Sequence, residues 1–158
     1  MKLRILHIDD FLVAVDKPAE FHVHPPEDGR PIDKRRSCLQ ILRKQIGREV
    51  HPVHRLDRAT AGVLLFALDP AAAHALKTGW RENSAKSYLC LARGWLDSVE
   101  VNRPLKAPNG ALKPAVTRFH CIAQREFDLP NKRHPTSRYS LLWAEPLTGR
   151  YHQIRRHL

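Results

Sequence analysis

The sequence predicts an α+β fold, a mainly antiparallel mixed sheet with flanking helices and loops. Short β-favouring runs dominate both ends of the chain, few helical segments interrupt them, and strands and helices do not alternate in the regular βαβ order of a parallel sheet. At 158 residues, 42% hydrophobic and 27% charged, the chain has the size of one domain and enough apolar residues for one core. Wholesale disorder is excluded on the same grounds.

From the amino end, residues 3–8 and 11–15 read as two strands joined by Asp9-Asp10, which is turn chemistry. Lys17-Pro18 stops the second strand. Residues 17–36 hold four of the 12 prolines with His22 and His24, and are expected to form an ordered surface loop. Ser37 is placed to cap a helix in which Leu39, Leu42 and Ile46 recur at helical spacing before Gly47 ends it. Residues 51–62 have no simple period and lead into residues 63–68, apolar enough for a strand buried on both faces. Asp69-Pro70 pairs an N-cap with proline at the first helical position, opening an alanine-rich helix to about Trp80.

Residues 86–94 alternate, with Tyr88, Cys90 and Ala92 on one side, and 115–123 and 138–145 are two further strands. The basic stretches 106–113 and 131–138 are expected to be loops joining these strands. Thr148-Gly149-Arg150 reads as a turn into a helix still forming at Leu158, which suggests a truncated carboxyl end. The expected organisation is a single domain over 1–158, incomplete at that end.

No apolar run approaches the roughly 20 residues of a membrane helix, and Met1-Lys2-Leu3-Arg4 leads to His7, Asp9 and Asp10 rather than to a signal core. Cys38, Cys90 and Cys121 form neither a CxxC pair nor an even disulfide framework. A soluble protein of the reducing cytoplasm, with no membrane partner, is the expectation. Nothing fixes the oligomeric state, and a monomer is the default. His22, His24, His51 and His54 make no closed four-ligand set, so no metal is expected.

Twenty-seven Lys and Arg against 16 Asp and Glu leave a formal charge of +11, which attracts polyanions, nucleic acid first among them. The most unusual stretch is His54-Arg55-Leu56-Asp57-Arg58-Ala59-Thr60-Ala61-Gly62, a carboxylate between two arginines just before the most apolar strand. Guanidinium groups favour the charged carboxylate, and a charged carboxylate serves as nucleophile or base. The competing reading is an aspartate that caps a turn or pairs with its neighbour.

HRLDRATAG followed by VLLFA resembles the HRLDxxTSG signature of pseudouridine synthases related to the ribosomal large subunit enzyme A. Val15-Asp16-Lys17-Pro18 with Val23-His24-Pro25 is similar to the family's KPxGxxVHP stretch, Lys86-Ser87-Tyr88 to its KxY motif, and residues 148–155 to its TGRxHQIR motif. The four stand in the family's order. Gln45-Ile46-Gly47, Arg93-Gly94-Trp95-Leu96, Pro114-Ala115-Val116-Thr117, Pro135-Thr136-Ser137-Arg138-Tyr139 and Arg155-Arg156-His157-Leu158 are closest to a tRNA-modifying member, which also has no separate amino-terminal RNA-binding domain. Three departures stand out. Glu20 replaces a glycine, Ala61 replaces a serine, and the family's later GHPIxGD and LHA stretches are absent.

The resemblance implies the pseudouridine synthase fold and isomerisation of uridine, with tRNA and its uridine 65 as substrate. The alternatives are a ribosomal RNA target or an inactive RNA-binding remnant. It makes Asp57 the nucleophile, at ribose C1′ or uracil C6, Tyr88 the ring that stacks on uracil, and Arg155 the partner of Asp57. Arg55, Arg58, His54, Ile154 and Arg150 are the implied RNA-binding residues. The bland rivals are a core aromatic for Tyr88 and a solvated helix residue for Arg155. Reattaching the same base through carbon needs no redox step, so no cofactor is expected, and a uridine within folded RNA must be flipped into a pocket.

Overall fold

The computed structural model describes residues 1–25, 36–130 and 132–158. Much of the proline-rich segment and the start of the second basic stretch lie outside the described residues. The chain divides into two compact units, Met1–Ser84 and Ala85–Leu158.

In the first unit β1 (Arg4–Ile8) and β2 (Leu12–Lys17) form the expected antiparallel pair. The Asp9 carboxylate fixes their turn by accepting the Phe11 and Leu12 N–H groups, each at 2.8 Å. The sheet order is β1-β2-β4-β3, with β3 (His51–Pro52) and β4 (Gly62–Ala67). Val13, Val15, Leu64 and Phe66 are fully buried and pack with Leu39 and Leu42 of α1 (Cys38–Ile46). One face of β4 therefore meets the main core. On the other face Leu65 packs with Ala73 and Trp80 of α2 (Pro70–Asn83), while Val63 is 57% exposed, so the strand is not buried on both faces throughout.

Helix α2 starts as its sequence dictates: Asp69 accepts the Ala72 N–H at 2.8 Å, with Pro70 at the first helical position. Ser37 departs from expectation. It occupies the N-cap position of α1, yet its hydroxyl makes no capping bond and is buried without a partner. The reason lies in the backbone, because Cys38 N–H and Leu39 N–H donate to the carbonyls of His22 and Val23 at 2.9 and 3.0 Å. The Leu39 N–H, one of the donors a cap would satisfy, is thus already taken. At the other end Gly47 adopts φ 70 and donates its N–H to Arg43, closing the helix as a left-handed cap.

The second unit is a four-stranded antiparallel sheet in the order β5-β10-β9-β6, comprising β5 (Tyr88–Arg93), β6 (Val99–Asn102), β9 (Val116–Phe127) and β10 (Ser137–Pro146). Two-residue strands β7 (Leu105–Lys106) and β8 (Leu112–Lys113) pair within the first basic stretch, which is thus a hairpin rather than a plain loop. Ala92, Phe119, Leu142 and Ala144 form this unit's core, with Tyr88, Cys90, Cys121 and Ile154 packed against it. A β-bulge opposite Leu141 and Leu142 leaves Ile122 unpaired. Inward positions are Thr117, Phe119 and Cys121 before the bulge and Gln124 after it, a change of parity. Cys90 and Cys121 both face Leu142 from opposite sides. Two strand spacings of about 4.8 Å separate them, too far for a disulfide.

The opposite face of this sheet is open. Leu89, Leu91, Ile122 and Trp143 are exposed along it. The carboxyl end folds as α3 (Gln153–His157), where the turn predicts a helix. Among the described residues no helix is long and apolar enough to cross a membrane.

Candidate active site

Asp57 lies in the loop between β3 and β4. Its carbonyl accepts the Thr60 N–H at 3.0 Å, so residues 57–60 form a tight turn with Arg58 and Ala59 at its apex. Gly62, with φ 127, then carries the chain into β4. Arg55, Asp57 and Arg58 are exposed on this turn, and Leu56 packs against the unit's core.

Two side chains hold the loop to the sheet. His54 accepts the Leu65 N–H at its Nε2, 3.1 Å away, and its ring stacks on Trp80 with centroids 4.7 Å apart. That ring nitrogen anchors β4, so part of this residue's work is structural. The second anchor is Lys17, which is fully buried. Its ammonium donates to the carbonyls of Pro18, Phe21 and Arg58 at 3.0, 2.7 and 3.0 Å. Three donors meet three acceptors, which satisfies the charged group. Burial nonetheless holds the Lys17 amine below its ordinary range, with Cys38, Glu20 and Asp57 acting in the opposite direction. Burial likewise pushes the nearby Cys38 thiol up to about 11, against the pull of Lys17.

Glu20, at the departure from the family's glycine, has φ 65 and reaches the guanidinium of Arg58 at 3.0 Å. A residue with a Cβ thus adopts the left-handed backbone, and its carboxylate braces the apex of the Asp57 turn. Among the described residues no group of three or more His, Cys, Asp or Glu is arranged to hold a metal ion.

The remaining predicted residues belong to the second unit. Tyr88 opens β5 opposite Ala144 and packs with Ile154 against the same apolar cluster. Arg155 is exposed on α3, and the Arg150 Nε donates to the Pro114 carbonyl at 2.9 Å, tying the turn before α3 to the start of β9. Gln153, which sequence reasoning did not single out, organises this segment. Its Oε1 accepts from the Thr148 hydroxyl and the Arg150 N–H at 2.8 and 3.0 Å, and its Nε2 donates to the Val116 carbonyl and the Thr117 hydroxyl at 2.9 and 3.0 Å. His157 adds contacts with the Thr117 hydroxyl at 2.9 Å and the Arg103 carbonyl at 3.0 Å. Lys17 was also missed. The signal for it was a lysine directly after an apolar strand and before proline, where a solvated side chain is the usual expectation.

Residues 11–158 match the family model described as RNA pseudouridylate synthase. The chain is 40% identical over 173 residues to tRNA pseudouridine synthase C of Salmonella typhi, covering 99% of this chain and 64% of that relative. It is 40% identical over 171 residues to tRNA pseudouridine synthase C of Pasteurella multocida, covering 100% of this chain and 70% of the relative. Among solved structures, human RNA pseudouridylate synthase domain containing 1 superposes with a TM-score of 0.77 at 22% identity, over 99% of this chain and 64% of its own. Human RNA pseudouridylate synthase domain containing 4 gives 0.71 at 26%, over 98% and 63%. The chain therefore spans about two thirds of the length of these four proteins.

Proposed function

The chain belongs to the RNA pseudouridylate synthase family, and from that premise we propose that it isomerises uridine to pseudouridine in RNA, with tRNA as substrate and uridine 65 as the target. Support for tRNA comes from the names of the relatives that match the whole chain. The observation that carries the chemistry is the Asp57 turn, an exposed carboxylate on a loop pinned from beneath by Lys17 and His54. A nucleophile has to be accessible to the flipped base and held still, because a misplacement of about 1 Å can cost about 100-fold in rate.

In this reading Asp57 attacks ribose C1′ or uracil C6, the N1–C1′ glycosidic bond breaks, and the base turns so that C5 bonds to C1′; the Asp57 adduct is released, the C5 proton leaves and N1 takes up a proton. Arg55 and Arg58 hold the RNA strand beside the flipped uridine, with His54, Arg150 and Ile154 in the wider RNA-binding set. The resemblance adds Tyr88 and Arg155 of the second unit to the residues assigned to the reaction. The test is tritium release from tRNA labelled at uridine C5. Asp57→Asn should keep RNA affinity and thermal midpoint but release no tritium. Undiminished release would remove Asp57 from the mechanism. Conversion of ribosomal RNA, or of a tRNA carrying cytidine at position 65, would overturn the substrate assignment while leaving the chemistry intact.

A further inference from the structure

Beyond the reaction centre, the second unit carries a surface on which cations and aromatic rings interleave. Tyr139 of β10 pairs with Arg93 of β5 on one side and with Arg125 of β9 on the other. Directly paired residues in an antiparallel sheet project from the same face, so the three strands present a row of Arg, Tyr, Arg. Both arginines are exposed and the tyrosine is half-buried. The Phe127 ring, itself 47% exposed, lies edge-on to Tyr139 with centroids 6.0 Å apart.

Beside this row Arg93 also lines a concavity of about 470 Å³ whose other walls are Lys132, Arg133 and His134. Glu126, which projects from the other face of the sheet, is engaged by the Thr136 hydroxyl and by Arg138 at 3.2 Å, and Arg138 in turn lies over the Trp95 ring, 5.6 Å from its centroid. The local balance at the row is positive.

We infer that this end of the sheet is a docking surface for an RNA strand, with Arg93, Arg125 and the Lys132-Arg133 rim meeting phosphates and Tyr139 with Phe127 meeting bases. Charge complementarity selects a polyanion, and the rings select one with π-faces at every residue, since stacking on aromatics between cations tolerates any base. The inference rests on the reading of the chain as an RNA enzyme. It adds a contact surface on the second unit to the residues already assigned to the reaction.

The test measures affinity of the full chain for a tRNA transcript by fluorescence anisotropy across a potassium chloride series. Arg93→Gln with Arg125→Gln should lower the slope of log affinity against log salt by about 2, one for each lost phosphate contact. A control pair, Lys2→Gln with Arg4→Gln, removes the same charge from exposed positions of the first unit. Tyr139→Leu should weaken binding about tenfold with little change in slope, and Tyr139→Phe should restore it. Equal losses in the control pair and the Arg93, Arg125 pair would overturn the inference in favour of a general charge effect. Wild-type affinity in both the arginine pair and Tyr139→Leu would overturn it as well. Either result leaves the catalytic reading standing if wild-type protein still converts uridine, whereas no RNA binding by wild-type protein would sink both.

Discussion

The ammonium of Lys17 stands 3.0 Å from the main-chain carbonyl of Arg58, a residue 41 positions away in sequence. The strand that carries the first family motif is thereby bonded to the turn that carries the second. Asp57 is held through its neighbour's backbone, by a bond that does not itself use the Arg58 side chain.

Lys17→Met should destabilise the protein by about 2 kcal/mol, read as a fall in urea midpoint at constant slope. Removing a buried charge is favourable in itself, but three carbonyls lose their donor and each orphaned acceptor costs about 1–3 kcal/mol. Stability at or above wild type would mean that these carbonyls find other partners.

Alkaline titration should separate Lys17 from Cys38, because their signs are opposite. Cys38 is raised from 9.0 to about 11, so the fold keeps its proton where the unfolded chain loses it, and stability falls as pH rises through that window. Lys17 is lowered from 10.5, so the unfolded chain binds more protons just below that value, and stability rises with pH there. Compared with wild type, Cys38→Ala should therefore lose stability more gradually above pH 9, and Lys17→Met more steeply. Parallel curves for all three proteins would contradict both assignments.

Glu20 sets two local effects against each other. Left-handed backbone costs a residue with a Cβ about 1 kcal/mol, while a half-exposed ion pair with Arg58 returns about 0–1 kcal/mol. Glu20→Gly should thus equal or exceed wild type in thermal midpoint, and Glu20→Ala, which keeps the strain and loses the ion pair, should fall below both. A Glu20→Gly protein that melts below wild type would show that the carboxylate matters more than the backbone.

Gln153→Leu should cost about 2–4 kcal/mol, since it leaves the Val116 carbonyl and the Thr117 and Thr148 hydroxyls without this partner in a largely buried setting. Gln153→Glu keeps the acceptor but removes the amide donor, and should lie between. Amide exchange in β9 and α3 would report the loss, and unchanged protection at Val116 and Thr117 would refute the network's importance.

Periodicity and caps made most of the frame legible: β1, β2, α1, α2, β5 and β10 lie close to where alternation, Asp69 and Gly47 place them. Strand β9 was read as ending at Ala123 but runs to Phe127, because the bulge at Ile122 reverses the parity of its inward positions and breaks the alternation. β6, β7 and β8 were invisible, being two to four residues long and mostly exposed. The motifs single out Asp57, Tyr88 and Arg155, but the supporting bonds of Lys17 and Gln153 join segments 41 and 36–37 residues apart. Local spacing holds no record of such bonds.

The open face of the second sheet gives the chain a colloidal character that its charge conceals. Leu89, Leu91 and Trp143 expose an apolar strip, while a formal charge of +11 keeps copies apart in dilute buffer. Raising ionic strength shortens the Debye length from about 30 Å at 0.01 M to about 8 Å at 0.15 M, so the repulsion fades and the strip does not. Raised salt should therefore promote self-association of the free protein, read as a rise in light scattering.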